Sequence, residues 1–167
     1  MNRSLVLSAV VAVATIFALS NAMGQSYRDA GSKAHGKFNS GSASRSMQNA
    51  RSYSREYREY AGSAPRVEPE VTKETTDAIG NYIVKAQKHM AGMRKEATKA
   101  NDKDTLASLD SIDKSLADAA KSHKDMCDLC MKDNIDAAGP MKCCQEVDYS
   151  LTKAIDEHDK LMKKLGH

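Results

Sequence analysis

The chain has 167 residues, enough for one domain with appendages, and its 25 Lys+Arg against 22 Asp+Glu leave a formal charge of only +3. That balance argues against a dedicated nucleic-acid binder, which carries a strong basic excess. With no Trp and only two Phe, a core has to come from Leu, Ile, Val, Met and Ala, which suits packed helices better than a sheet sandwich.

Residues 1–22 read as a signal peptide. Arg3 gives a positive start, and Leu5 to Leu19 form an apolar run too short for a comfortable membrane span. Ser20-Asn21-Ala22 then supplies the small residues that a signal peptidase recognises, so cleavage is expected after Ala22. The mature chain is expected to be periplasmic or secreted, with no membrane span after cleavage. Export bears on the chemistry, because paired cysteines outside the cytosol usually become disulfides.

Residues 23–69 read as a Ser/Arg/Tyr-rich tail, disordered or weakly helical. From Gln25 to Pro69 there are nine Ser and four Gly but no Leu, Ile or Cys, too little apolar surface to offset the entropy of ordering. Eight Lys/Arg face four Asp/Glu there. Arginine and tyrosine interleave through Arg51, Tyr53, Arg55, Tyr57, Arg58 and Tyr60, an arrangement that can hold an anionic surface. Glu56 and Glu59 interrupt the charge, which favours a solvated linker. Met47, Ala50, Tyr53, Tyr57 and Tyr60 permit a short helix at spacings of three and four.

From Glu70 to His167 the pattern becomes sustained helix. Apolar positions recur at three and four through Ile79, Tyr82, Ala86, His89 and Met93. They recur again through Leu109, Ile112, Leu116, Ala119, His123, Met126 and Cys130, and through Cys144, Val147, Leu151, Ala154, His158, Leu161 and Leu165. This predicts an all-α, antiparallel three-helix up-down-up bundle with coiled-coil-like packing, its helices at about 70–99, 104–132 and 140–165. Asn101 to Asp104 is a turn able to cap the second of them. Gly80 is a weak point in the first, about 1 kcal/mol less favourable than Ala.

All four cysteines lie where the last two helices turn back on each other. His123, Cys127 and Cys130 fall at i, i+4 and i+7, and the turn brings up Cys143 and Cys144. Two readings stay open. Disulfides could staple the hairpin, with Cys127–Cys144 plus Cys130–Cys143 preferred over Cys127–Cys143 plus Cys130–Cys144. Alternatively the thiols, with His123 and the sulfurs of Met126, Met131 and Met141, could hold Zn or Cu(I). Redox catalysis fits poorly, because this CxxC ends its helix, where the dipole raises a thiol pKa. Covalent haem fits poorly too, since Met131 rather than a histidine follows the second cysteine.

His89 and His158 occupy apolar positions of the repeat and are expected to pair across the first and third helices. No nucleophile elbow, phosphate loop or HExxH is present. The expectation is an exported, non-enzymatic, cysteine-stapled interaction or structural module, binding a protein or an anionic surface and able to dimerise. The alternative is a periplasmic or extracellular copper- or zinc-binding protein.

Overall fold

Seven small or flexible side chains, Ser40, Ala43, Met47, Ala50, Ser54, Tyr57 and Ala61, alternate at intervals of three and four along residues 34–63, and all are buried. In the computed structural model, which describes residues 34–130 and 137–166, this segment is a helix, α1. Three more follow: α2 at Pro69–Lys99, α3 at Lys103–Cys130 and α4 at Ala138–Lys164. The chain divides into one unit up to Lys37 and a second from Phe38, and the bundle is the second.

The three-helix expectation is therefore corrected to four helices, with no strand among the described residues. The signal peptide at 1–22, the stretch from 23 to 33, and Met131 lie outside the described residues.

Each later helix carries the same alternation of intervals. The buried seam of α2 runs Thr72, Thr76, Ile79, Ile83, Ala86, Met90, Met93 and Ala97. In α3 it runs Thr105, Leu109, Ile112, Leu116, Ala119 and Met126, and in α4 Pro140, Cys144, Val147, Leu151, Ala154, His158 and Leu161. A 3.5-residue repeat on all four helices is the signature of a bundle packed knob into hole.

Cross-helix contacts give an up-down-up-down order. Near its start α1 meets the end of α4 through Ser40 and His158, and the end of α2 through Asn39 and His89. Near its end it meets the start of α2 through Tyr57 and Thr72, and the start of α4 through Ser54, whose hydroxyl donates to the Cys144 carbonyl at 2.8 Å. Arg51 and Arg55 both reach Asp148 of α4, at 3.0 and 2.8 Å.

Local chemistry sets the boundaries. Pro69 opens α2, where a missing N–H leaves nothing unpaired. At the far end Asn101 takes a positive φ of 52°, the left-handed turn that stops a helix, and Asn tolerates it better than most residues. Asp102 then caps α3 by accepting from the Thr105 N–H at 3.0 Å and the Thr105 hydroxyl at 2.7 Å. Those bonds hold its carboxyl below the usual range, with the backbone N–H of Thr105 the largest cause.

Candidate functional site

The cysteine end is assembled where α1 and α3 finish and α2 and α4 begin. Its seam positions are Tyr57, Thr72, Met126, Cys130 and Cys144, and its flanking positions Cys127 and Cys143. The four cysteines are free, so neither predicted disulfide arrangement is present.

The repeat explains why the sulfurs separate. Cys130 follows Met126 by four and lies on the α3 seam, whereas Cys127 lies one residue off it. Cys127 faces α2: its sulfur is 3.5 Å from His123 Nε2, and Asp77 of α2 helps to raise its pKa. Cys130 faces the interior, 3.9 Å from the Tyr57 hydroxyl, and Cys144 lies near enough to feel its charge. Cys143 is buried on the α4 flank, where Glu146 and Asp125 help to raise its pKa.

Burial is the largest cause of a raised pKa for all four thiols, and it pushes Cys144 up to about 12. None of them is tuned as a nucleophile, which requires a lowered value.

Hydrogen-bond direction follows from the acceptors. Thr72 donates its hydroxyl proton to the Glu68 carbonyl at 3.0 Å, so Tyr57 donates to Thr72 at 3.1 Å and the Cys130 thiol points its proton at the Tyr57 oxygen. Burial lifts the Tyr57 hydroxyl to about 12, keeping it a neutral donor. The Cys144 thiol donates to the Met126 thioether at 3.1 Å, and both residues are fully buried. His123 Nε2 is 2.8 Å from the Thr76 carbonyl, which only accepts, so Nε2 carries a hydrogen and points away from the interior sulfurs.

The predicted set is thus divided. Met126, Cys130 and Cys144 come together inside, His123 and Cys127 pair on the α2 side, and the Met141 side chain lies over Gly62 of α1. Among the described residues, no group of three or more His, Cys, Asp or Glu is placed to hold a metal ion. Reading the sequence for thiols missed Tyr57 and Thr72, which contribute hydroxyls to this end. Tyr57 was visible as a member of a three-and-four pattern, but Thr72 gave no signal.

The predicted pairing of His89 with His158 is replaced by contacts to α1, which lies between their helices. His89 Nδ1 is 3.1 Å from Asn39 Oδ1, and its ring meets Phe38 edge-on at 5.9 Å. His158, only 3% exposed, has Nε2 3.1 Å from Ser40 Oγ. Ser40 also donates to Met162 Sδ at 2.9 Å, so His158 Nε2 is the donor to Ser40. Its Nδ1 is then a bare acceptor, buried and unpartnered, with Asp159 beyond hydrogen-bond range at 3.6 Å.

Ser40, His158 and Asp159 have the residue types of a hydrolase triad but neither its hydrogen bonding nor its exposure. Ser40 is 3% exposed, so no substrate reaches its hydroxyl.

Burial lowers the His158 pKa below the ordinary 6.5. The unfolded chain therefore takes up this proton at a higher pH than the folded one. The stability that depends on neutral His158 is complete above about pH 6.5 and declines as pH falls below it, by up to about 1.4 kcal/mol per unit. Urea unfolding between pH 5.5 and 8 should show that decline, and His158→Gln should flatten it. An equal slope in the variant would assign the effect to other groups.

Comparison of the chain with protein-family models, with curated proteins and with solved structures yields no match.

Proposed function

We propose that the chain is an exported, non-enzymatic four-helix bundle that binds a protein partner along the α3–α4 face. The observation that carries this is an open groove of about 640 Å³ between those helices, with Tyr149 standing 67% exposed beside it. Asp118, Asp125 and Glu146 alternate with Lys121 and Lys142 along the groove, and Lys153 lies over the Tyr149 ring at 5.8 Å. An exposed tyrosine in a mixed-charge groove is the kind of anchor that protein interfaces use, since it brings large contact area at small entropic cost. Export rests on the apolar run Leu5 to Leu19 and the small residues after it.

A photo-crosslinking residue in place of Tyr149 tests the face in the producing cell. A discrete cross-linked species is expected, weakening as salt screens the groove charges. The same probe in place of Val84, which is 62% exposed on α2, should give none. A product of twice the chain mass would name a second copy as the partner. Identical products from both positions, or monomer alone at position 149, would defeat the proposal.

A further inference from the structure

We propose that Met126, Cys130 and Cys144 form a three-sulfur site for a soft monovalent cation, Cu(I), with two buried ligands and a partly buried third. Two of the sulfurs are already in contact, Cys144 Sγ and Met126 Sδ at 3.1 Å, and both side chains are fully buried. Cys130 is the next seam position of α3, one turn beyond Met126, with its sulfur 3.9 Å from the Tyr57 hydroxyl on the inward side of α1.

Thiolates with a thioether in an apolar pocket are the soft donor set that selects Cu(I). Zinc would need a fourth ligand. The nearest imidazole, His123, is held instead by the Thr76 carbonyl at 2.8 Å.

The present thiol hydrogen bonds are weak ones, to a thioether and to a phenol oxygen 3.9 Å away, so little is lost when a metal replaces them. Three sulfurs about 2.3 Å from one ion stand about 4 Å apart. The Cys144–Met126 pair therefore opens by about 1 Å on binding, a shift within the reach of the three rotatable bonds of Met126.

Binding involves no change of oxidation state. Two S–H bonds break, two Cu–S(thiolate) bonds and one Cu–S(thioether) bond form, and both protons leave to solvent. Two thiolates and one Cu(I) carry a net charge of −1. Arg58 of α1, whose charge already acts on Cys144, faces that charge. Tyr57 of α1 donates to Thr72 of α2 and leaves its oxygen toward Cys130. Cys143 of α4 and Cys127 of α3 are further titratable neighbours.

The test is an anaerobic titration of the reduced mature chain with Cu(I) in competition with bicinchoninate, with released protons read by a pH indicator. One ion bound and two protons released per chain are expected, with a sulfur-only shell by X-ray absorption. Cys130→Ser and Cys144→Ser should each weaken binding about 100-fold or more, because each removes a thiolate ligand. Cys144→Val, which keeps the buried volume apolar, should do the same while melting normally. Met126→Leu is close in volume and leaves the fold intact, so the roughly tenfold loss expected of it reports ligation alone. Cys127→Ser and His123→Ala should leave affinity unchanged. Failure to take Cu(I) from bicinchoninate, a proton count of zero, or an equal loss in Cys127→Ser would overturn the site.

Discussion

A chain beginning at Glu68, lacking α1, is expected to keep much of its helical circular dichroism but to lose its cooperative melting transition and to bind hydrophobic dyes. The reason lies in what α1 fills. Met47 and Tyr57 are buried to within 2%, and Ala43, Ala50 and Ala61 complete the seam. Deleting the side chain of a buried large residue typically costs about 2–5 kcal/mol, and a whole domain is stable by only about 5–15 kcal/mol. Removing α1 also strips Ser40 from His158, Asn39 from His89 and Tyr57 from Thr72, and so opens the faces of α2 and α4 that these contacts close. Retained helix with lost side-chain packing is the expected residue of such a deletion. A synthetic peptide of residues 34–63 should restore the transition in a concentration-dependent way, since it binds only the folded arrangement. If the shortened chain melts as sharply and as high as the full one, α1 is an ornament and the bundle is the three-helix form.

That expectation also shows where the sequence was readable. The three helices from Pro69 onward were legible because Leu, Ile, Val and Met mark their seams, and the predicted boundaries fall within a few residues of Pro69–Lys99, Lys103–Cys130 and Ala138–Lys164. α1 was hidden because its repeat is written in small residues. Ser40 and Ser54 sit at seam positions where a search for apolar periodicity registers polarity. Their burial is made tolerable by bonds to other helices, which no local pattern encodes. The apolar spacing that ends at Tyr60 passes through Tyr53 and Tyr60, on the half-exposed face, whereas the buried seam passes through Ser54 and Ala61. Adding a fourth helix then changed which helices are neighbours, and the predicted His89–His158 pair gave way to contacts with Asn39 and Ser40.

The cysteine end was half legible. Placing Cys130 and the Cys143–Cys144 pair at the same end of the bundle follows from the antiparallel hairpin, and α3 ends at Cys130 while α4 carries Cys143 and Cys144 in its first turns. Treating His123, Cys127 and Cys130 as one face was too coarse. Met126 lies on the buried seam with Cys130 one turn on, whereas His123 rests on the α2 backbone and Cys127, one residue off the seam, stands beside it. Which flank a residue occupies depends on which helix lies beside it, and that is a tertiary fact.

Gly80→Ala is expected to destabilise the bundle by about 1–2 kcal/mol, although helix propensity alone favours alanine by about 1 kcal/mol. A β-carbon built on Gly80 would stand 2.6 Å from His123 Cε1 and 3.0 Å from His123 Nε2. That imidazole cannot simply swing aside, because its Nε2 bond to the Thr76 carbonyl at 2.8 Å holds it against the α2 backbone. Moving the ring gives up that bond, worth about 1 kcal/mol, and removes the neighbour that Cys127 Sγ meets at 3.5 Å. The glycine that looked like a flaw in a helix is thus the seat of a side chain from the next helix. The sign of the effect should therefore depend on His123. In a His123→Ala background the space is open, and Gly80→Ala should then stabilise by roughly the propensity difference, giving a coupling of about 2–3 kcal/mol in a double-mutant cycle. Urea denaturation of the four proteins measures it. Additive free energies, with Gly80→Ala stabilising in both backgrounds, would show that His123 does not rest on α2 at this position, and the division of Cys127 from the interior sulfurs would lose its structural basis.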